Sequence, residues 1–470
     1  MRAAPSPASP AAASHATKRM TQNEGTTPMS SKPFHLGYFM NGSAAQSFGM
    51  PFSGRIGRDW SNGSFYTDTA RALERGKFDF LLFEDAYHVP NAWEGTHNTH
   101  VENAIAVPRL DTIVLASMVA QATSRLGLVA TLPTFAFHPY LMARLIGSLD
   151  AVSEGRGAWN VVTGAQPLAF QNFGMEMDPA EDRYAHATEY VELVKKIWES
   201  WEPDAINTAP GATTFADSSK VHTVDYNGKL LQHSGSALVS GPAPQGHPVI
   251  AQAGASKDGK ILAATHADIV VGVASSPEGM KEYRDFVRAE IVRQGRNPDD
   301  TKVFFSISPI LGATQEEAEV HGRVREEQAR ARAISTLADA ADRMNVDLSR
   351  MPLDEILSDE VIDSLYTHGQ RSSLDTFKKQ LRGRTVRQLG EQMGSRSAQW
   401  TGTADKVASE MQAVAEEVGI DGFIISATKG GHTRRFVDEI VDGLVPALQA
   451  RGLVREEYEH TQLRDNLRAF

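Results

Sequence analysis

The chain contains no cysteine, and this absence removes several classes of chemistry at once. Without a thiol there is no disulfide bond, no thiolate nucleophile and no iron–sulfur or zinc site built on Cys ligands. Positive charge is also in deficit, because 47 Lys and Arg residues stand against 58 Asp and Glu residues, for a net charge of −11. Such an acidic chain argues against a nucleic-acid partner, since phosphate contacts need a basic surface.

Long apolar runs are missing too. A membrane-spanning helix needs roughly 18 or more consecutive apolar residues, and the sequence has no such run. The first 33 residues are rich in Ala, Pro, Ser and Thr, and Pro5, Pro7 and Pro10 interrupt the apolar segment that a signal peptide requires. We therefore expect a disordered N-terminal tail over residues 1–33 and a cytoplasmic protein that has no membrane partner.

The remaining sequence alternates strand-like and helix-like segments, which predicts a parallel α/β sheet. Eight such units favour a (β/α)8 TIM barrel, a single domain over residues 34–465 with insertions at about 203–247 and 314–399. The predicted strands are 36–40, 78–83, 126–131, 157–163, 248–252, 268–273, 303–311 and 421–426. The predicted helices include 64–75, 139–152 and 436–451. An open doubly wound sheet is the competing architecture, but no strand is followed by its G-x-G-x-x-G fingerprint.

The stretch from Gly155 to Tyr184 illustrates one such unit. Its strand is apolar except for Asn160 and Thr163, an amide-rich loop follows, and Asp178 is predicted to cap the next helix. In barrels of this kind the loops after the strands carry the chemistry, so Asn160 and Thr163 are candidate site residues. Alternatively, they only satisfy polar groups inside the barrel.

Three further places in the sequence contain candidate site residues. Asp85 ends a buried strand, where it is either a site carboxylate or a loop cap. Gly254, Ala255 and Ser256 lie between a strand and a helix, which suits a phosphate group at the helix N-terminus or an ordinary capped turn. Tyr184 is either a site residue or a core aromatic with its hydroxyl bonded nearby.

The long loop over residues 86–110 is rich in histidine. His97 and His100 have a metal-like spacing, but no carboxylate completes a coherent ligand set, so we predict no metal site. His88 is instead a candidate pocket residue. Aromatic residues at or near the predicted strand ends either pack in the core or line an apolar pocket: Phe39, Phe48, Trp60, Phe135, Phe137 and Phe304.

Several motifs in order resemble a known family. They are LERGKFDFLLFEDA (73–86), LGLVATLPT (126–134), HPYLMARLIGSLDAVSEGRGAWNVVTG (138–164), RYAHATEYVELVKKIWESW (183–201), PVIAQAGAS (248–256), and WTGTADKVA with DGFIIS near the end. Together they resemble the flavin-dependent monooxygenases typified by nitrilotriacetate monooxygenase and dibenzothiophene-sulfone monooxygenase, a branch of the bacterial luciferase-like superfamily.

The resemblance implies a barrel that binds reduced FMN supplied by a separate NAD(P)H-dependent flavin reductase. Oxygen (O2) then adds to the flavin, and the resulting flavin peroxide oxygenates a small organic substrate. The implied cofactor contacts are Asp85, Thr131, Asn160, Thr163, Tyr184, Gly254, Ala255 and Ser256, with Asn160 and His88 nearest the chemistry. The family often has His where this chain has Ala180, so one cofactor contact is absent or comes from elsewhere, for example from Arg183. A homodimer or homotetramer is also implied.

We expect a hydrophobic aromatic substrate that is sulfur-bearing or halogenated. A polar amino-polycarboxylate like nitrilotriacetate is the alternative, but it calls for clustered cations, and Arg55 and Arg58 are the only obvious pair in the first long loop. Two other functions fit the same barrel: a deazaflavin-dependent oxidoreductase that transfers hydride, and a flavin carrier without catalysis.

Overall fold

The structure is a computed structural model that describes residues 32–40, 60–367, 369–393, 399–427 and 432–470. The strands are β1 (His35–Met40), β2 (Phe80–Phe83), β3 (Gly127–Pro133), β4 (Gly157–Val162), β5 (Val224–Asn227), β6 (Gln232–Gly235), β7 (Val249–Gln252), β8 (Ile269–Gly272), β9 (Lys302–Ile307), β10 (Ile310–Leu311), β11 (Thr401–Gly402) and β12 (Gly422–Ser426). The first predicted long loop, which contains Phe48, Arg55 and Arg58, lies mostly outside the described residues.

The helices separate these strands. They are α1 (Ser64–Arg75), α2 (Asn98–Glu102), α3 (Thr112–Ala120), α4 (Pro139–Val152), α5 (Pro167–Gln171), α6 (Ala180–Trp198), α7 (Lys257–His266), α8 (Pro277–Arg293), α9 (Gln315–Ala331), α10 (Ala333–Met344), α11 (Asp359–Ser364), α12 (Arg371–Leu381), α13 (Val386–Gln392), α14 (Ala404–Val418), α15 (Arg434–Glu439), α16 (Val445–Gln449) and α17 (Leu463–Arg468). In the part of the chain that is described, no helix combines the length and apolar character that a membrane crossing requires.

Eight strands close a parallel barrel in the order β1-β12-β9-β8-β7-β4-β3-β2, and β2 pairs with β1 to complete the ring. The predicted (β/α)8 barrel is therefore confirmed. Its strands are short and almost wholly buried, as expected where helices cover the outside and side chains fill the inside. Because all eight strands point the same way, their C-terminal ends form one face of the molecule.

Successive side chains of each barrel strand point alternately into two apolar cores. One set faces outward against the helices, and the other fills the barrel: Phe80, Leu82, Val129, Ala158, Val249, Ala251, Ile269, Val271, Phe304 and Ile424. Leu463 and Leu467 of α17 belong to this inner core. A Cβ on Gly127, the first residue of β3, would lie 2.6 Å from Leu463 Cδ1, so α17 covers the N-terminal end of the barrel.

The two predicted insertions have different structures. The stretch 203–247 contains the antiparallel hairpin β5–β6. The stretch 314–399 contains α9 to α13, and a separate apolar core around Leu337, Phe377 and Leu389 joins α10 to α13. Trp93 and Ile105 from the 86–110 loop join that core, which fixes the loop against the insertion.

Two predicted elements were too long because each runs across a proline. The strand predicted over 303–311 ends at Ile307, and Ile310–Leu311 pairs instead with Thr401–Gly402 outside the barrel. Pro309 lies at the break, where it cannot donate to a sheet ladder. The helix predicted over 436–451 is divided by a π turn at Ile440–Leu444 just before Pro446, whose missing N–H leaves the regular turn unsupported.

The start of α6 also differs from the prediction. The helix begins at Ala180 with Pro179 as its N-cap, and Asp178 does not cap it through its side chain. The Asp178 carbonyl instead accepts a hydrogen bond from Arg183 Nη1, so a side chain within the helix fixes its first turn. The amide-rich loop before it contains the short helix α5, which the sequence did not predict.

Candidate functional site

The predicted site residues gather at the C-terminal end of the barrel. Asp85 follows β2, Thr131 lies in β3, Asn160 lies in β4, and Ser256 follows β7. These four strands are consecutive around the ring. The residues therefore share one end and one side of the barrel, in the position where barrel enzymes bind their ligands.

Thr131 and Asn160 form a polar pair inside the barrel mouth. They are register partners on adjacent strands, and they share a face with Val129 and Ala158 of the inner core. Asn160 Nδ2 donates to Thr131 Oγ1 at 3.0 Å. Both side chains are buried, yet Asn160 Oδ1 has no hydrogen-bond partner among the residues that the structure describes. The mouth therefore contains a buried acceptor that a ligand can satisfy.

Asp85 lies two residues beyond the end of β2, at the same end of the barrel as this pair. Its Oδ1 accepts the Ala86 N–H at 2.8 Å. Burial raises the pKa of Asp85 to about 7, although the Arg109 guanidinium opposes the shift. Within the described ranges no hydrogen bond or ion pair joins Asp85 to Thr131 or Asn160, so its carboxyl group is an independent feature of the site.

The start of α7 provides an anion-binding geometry. Ser256 is the N-cap, and its Oγ accepts the Gly259 N–H at 3.0 Å. The same Oγ donates to Tyr184 Oη at 3.3 Å, which leaves the tyrosine hydrogen available for another acceptor. A Cβ on Gly254 would lie 2.8 Å from the Gly259 backbone, so only glycine permits this close turn. Tyr184 and Ser256 are thus brought together beside the free N–H groups of a helix N-terminus.

Thr163 lies apart from the Thr131–Asn160 pair, in a neighbouring cavity of about 400 Å³. The cavity lies between the loop after β3 and α6, and Phe135, Phe137, Phe170, Arg183 and His186 also line it. Burial lowers the pKa of Arg183 and of His186. Arg183 Nε is buried without a partner in the described part of the chain.

An aromatic cluster forms one wall of this cavity. The rings of Phe135 and Phe170 stack with centroids 4.0 Å apart, and Tyr87 and Phe173 contact Phe135 edge-on. Two of the aromatic residues near the predicted strand ends, Phe135 and Phe137, line the cavity. Phe304 does not: it is fully buried inside the barrel, 5.1 Å from Phe80 between ring centroids, so core packing explains it.

His88 is placed against the insertion rather than in the barrel mouth. Its Nε2 lies 2.9 Å from Asp342 Oδ1 of α10, while Nδ1 is buried without a partner among the described residues. His100 Nε2 donates to the Ala338 carbonyl, and His97 precedes α2, a short helix that the sequence did not predict. Among the described residues, no three or more His, Asp or Glu side chains are grouped so that they could hold a metal ion.

The sequence reasoning missed two serines at the mouth. Ser306 ends the interior row of β9 and Ser426 that of β12, and their Oγ atoms lie 3.1 Å apart. The signal was available, because each serine interrupts an apolar strand near its C-terminal end, as Asn160 does. Polar side chains therefore lie near the mouth in two places, on β3 and β4 and on β9 and β12.

Comparison with known proteins agrees with this geometry. A family model described as Luciferase-like monooxygenase matches residues 53–422. The dibenzothiophene-sulfone monooxygenase of Rhodococcus erythropolis (strain XP) is 34% identical over 458 residues, which cover 93% of this chain and 96% of that protein. The long-chain alkane monooxygenase of Geobacillus thermodenitrificans (strain NG80-2) is 34% identical over 406 residues and covers 86% of each.

Among solved structures, a riboflavin lyase with modified FMN and the substrate riboflavin has a TM-score of 0.83 against this chain. It is 27% identical and covers 93% of this chain and 96% of its own. The similarity thus extends over nearly the whole chain. The chain therefore belongs to the luciferase-like monooxygenase family, and it is an oxidoreductase of that family.

Proposed function

We propose that the chain is a two-component monooxygenase that takes reduced FMN from a separate NAD(P)H-dependent flavin reductase. It uses O2 to oxygenate a small hydrophobic compound, aromatic and either sulfur-bearing or halogenated, and it assembles as a homodimer or homotetramer. Support comes from the family membership and from two relatives whose names describe oxygenation of an aromatic sulfone and of alkanes. Further support comes from the similar fold of a riboflavin lyase that contains modified FMN.

The observation that carries the proposal is the unpaired Asn160 Oδ1 in the barrel mouth. A buried acceptor without a partner costs about 1–3 kcal/mol, so the site favours a ligand that donates a hydrogen bond there. The N–H edge of an isoalloxazine ring supplies such a donor. Thr131 holds the Asn160 amide in place through its hydroxyl, and the two residues therefore fit a flavin ring.

The N-terminus of α7 fits the other end of FMN. Lys257 and Asp258 begin the helix, and their N–H groups have no acceptor within it. Ser256 orients Tyr184 so that its hydroxyl can donate to a phosphate oxygen. In our proposal Gly254 and Ala255 allow the phosphate to approach the backbone, and the positive end of the helix dipole stabilises its charge.

Bound reduced FMN supplies two electrons to O2, one oxygen atom passes to the substrate, and the other leaves as water. The chain binds, orients and shields the reactants. Asp85 carries an exchangeable proton near neutral pH and can donate or accept a hydrogen bond at the ring edge. We assign His88, whose Nε2 lies 2.9 Å from Asp342 Oδ1, to holding the 86–110 loop against the insertion so that the loop can cover the site. The 86–110 loop, fixed to the insertion by Trp93 and Ile105, helps to exclude water.

The cavity beside the mouth supports an aromatic substrate. Phe135, Phe137 and Phe170 give it apolar walls, and stacked or edge-on ring contacts stabilise aromatic ligands. A polycarboxylate requires several clustered cations, whereas Arg183 is the only lysine or arginine among the residues that line this cavity, and Glu176 and Asp178 line it too. The cavity therefore favours a neutral compound over a nitrilotriacetate-like one.

The proposal is tested by anaerobic titration with reduced FMN, followed by oxygen uptake with a generic flavin reductase and dibenzothiophene sulfone as the first probe. We expect reduced FMN to bind and the product to require both flavin and O2. Asn160→Ala is expected to weaken reduced FMN binding at least tenfold. His88→Ala is expected to keep the affinity within about twofold and to lower the rate of product formation at least tenfold.

Two remote variants serve as controls. Asn207→Ala removes an exposed asparagine in the first insertion, and His97→Ala removes an exposed histidine in the His88 loop. Both are expected to match the parent protein. Absence of FMN binding, or preferential binding of a deazaflavin with hydride transfer and no oxygen uptake, would overturn the proposal. Binding without turnover on the sulfone, an alkane and nitrilotriacetate would point to a flavin carrier.

A further inference from the structure

A second cleft lies at the opposite end of the barrel from the candidate active site. It has a volume of about 320 Å³ and borders Pro248 and Ile250, where β7 begins, and Arg464 and Arg468 of α17. Lys195 of α6 and other basic side chains complete its lining. Because β7 enters the barrel here, the cleft is separated from the mouth by the length of the barrel.

Positive charge exceeds negative charge around this cleft. Arg464 is paired with Asp268, with 2.6 Å between Nη1 and Oδ1, and the exposed Arg468 lies 3.6 Å from Asp300. Lys195 and Arg296 form no ion pair with a carboxylate anywhere in the described part of the chain. Lys195 and Arg296 are therefore two cations of the cleft that have no carboxylate in direct contact.

One explanation for these two cations is structural. Lys195 Nζ lies 3.4 Å from the His266 carbonyl, and Arg296 donates to the carbonyls of Ala264 and Ala267 at 2.8 and 2.9 Å. These contacts stabilise the negative C-terminal end of α7. However, an ammonium has three donors and a guanidinium has five. Both groups therefore keep hydrogen atoms that the helix end does not use.

His266 provides a second and independent sign of a ligand. The residue is only 6% exposed, and its Nε2 is buried without a hydrogen-bond partner among the described residues. Its Nδ1 lies 3.5 Å from Lys195 Nζ, an orientation in which Nδ1 accepts and Nε2 carries the hydrogen. The side chain thus contains a buried polar atom without a partner, on the ring edge opposite Lys195 and beside the cationic cleft.

The pKa values of His266 and Lys195 agree with a surplus of positive charge in the cleft. The pKa of His266 is lowered to about 3, mainly by burial and to a smaller extent by the charges of Lys195 and Arg296. Burial also lowers the pKa of Lys195 to about 8; Asp268 offsets part of this shift, while Arg296 and Arg464 add to it. An anion in the cleft would relieve this repulsion.

We propose that this cleft is a binding site for a tetrahedral oxyanion of the phosphate class, either inorganic phosphate or the phosphate of a small phosphomonoester. Lys195 and Arg296 supply the charge, and Arg468 closes the open side. The cleft is large enough for such an anion with part of its hydration shell. A bound anion would join α6, α7 and α17 at the base of the barrel.

The test is isothermal titration calorimetry at pH 7 and constant ionic strength, with inorganic phosphate as the probe in a chloride buffer. The full chain is expected to bind phosphate with a Kd on the order of 1 mM or below. Lys195→Met is expected to weaken this binding at least tenfold. Arg468→Met, an exposed change that does not endanger folding, should weaken it at least threefold. A parallel titration with AMP distinguishes a phosphomonoester, which binds more tightly, from free phosphate.

The matched control is Lys196→Met. It makes the same substitution one residue away on α6, where the ammonium lies over the Tyr226 ring and not in the cleft. This variant should bind phosphate as the parent does. The proposal is wrong if phosphate does not saturate below about 20 mM, or if Lys195→Met and Lys196→Met behave alike. It is also wrong if Ser256→Ala, rather than Lys195→Met, abolishes binding, since phosphate would then bind at the mouth.

Discussion

At the scale of single residues, Asp85 is the carboxyl group in the barrel mouth whose charge changes near neutral pH. Its pKa is raised to about 7 because the folded chain removes it from water, and Arg109 recovers only part of that cost. Between about pH 4 and 7 the folded protein keeps a proton on Asp85 that the unfolded chain has released. The free energy of unfolding therefore falls as the pH rises through this window.

Asp85→Asn should remove this dependence. We expect the variant to equal the parent protein near pH 4 and to exceed its free energy of unfolding by roughly 1–3 kcal/mol above pH 7, after allowance for solvent screening. Urea unfolding at several pH values measures the difference. A constant offset for Asp85→Asn would show that Asp85 is not desolvated.

Single site residues could be predicted where a polar side chain interrupts an otherwise apolar strand. Asn160 is polar within an apolar strand, and the structure buries it in the mouth with one atom unpaired. Ser306 and Ser426 carry the same signal more weakly, because serine is common in strands that satisfy it locally. Arg183 and His186 gave no such signal, since they join the cavity only through the packing of α6 beside the loop after β3.

At the scale of elements, the start of α7 combines a helix cap with an anion site. Ser256→Ala removes the cap on Gly259 and the contact with Tyr184, at a cost of about 1 kcal/mol in stability. We predict that it also weakens FMN binding at least fivefold and leaves riboflavin binding unchanged, because riboflavin has no phosphate. Fluorescence titration with both flavins measures the two affinities.

Ser276→Ala is the matched control for this change. Ser276 caps α8, and its Oγ accepts the N–H of Gly279 just as Ser256 Oγ accepts that of Gly259. The control should lose similar stability and bind FMN normally. Equal loss of FMN and riboflavin binding in Ser256→Ala would contradict a phosphate site at α7.

Elements were predictable where their signals were local. The bounds of Ser64–Arg75 and Pro139–Val152 match the prediction because a glycine ends the first and a proline starts the second. The pairing of β10 with β11 joins residues 310–311 to residues 401–402, which no local pattern reports. The start of α6 was also missed, because it depends on a contact between Arg183 and the Asp178 carbonyl.

At the scale of the whole molecule, the C-terminal segment closes the base of the barrel. Arg455 Nη2 lies 2.6 Å from Asp79 Oδ1 just before β2, and both side chains are almost fully buried. Burial raises the pKa of Asp79, but His35 and Arg455 more than offset this and hold that pKa below its usual value. This closure could not be predicted from sequence, because the contacts of residues 455–470 lie hundreds of residues away.

Arg455→Met should therefore destabilise the fold by about 3–5 kcal/mol, because it leaves a buried carboxylate without its partner. Chemical denaturation measures the loss. Adding Asp79→Asn to this variant should cost less than the sum of the two single changes. Arg468→Met, which removes an exposed cation of α17, should change stability by less than about 1 kcal/mol. Equal effects of Arg455→Met and Arg468→Met would show that the buried pair does not hold the base together.

In the proposed function, one flavin extends from the polar pair in the barrel mouth to the first turn of α7. A crystal structure of the full chain soaked with FMN tests it most directly. We predict the isoalloxazine ring beside Asn160 and Thr131, and the phosphate within hydrogen-bonding distance of Tyr184 Oη and the N–H groups that follow Ser256. A flavin bound elsewhere, or a phosphate remote from α7, would contradict the proposed function.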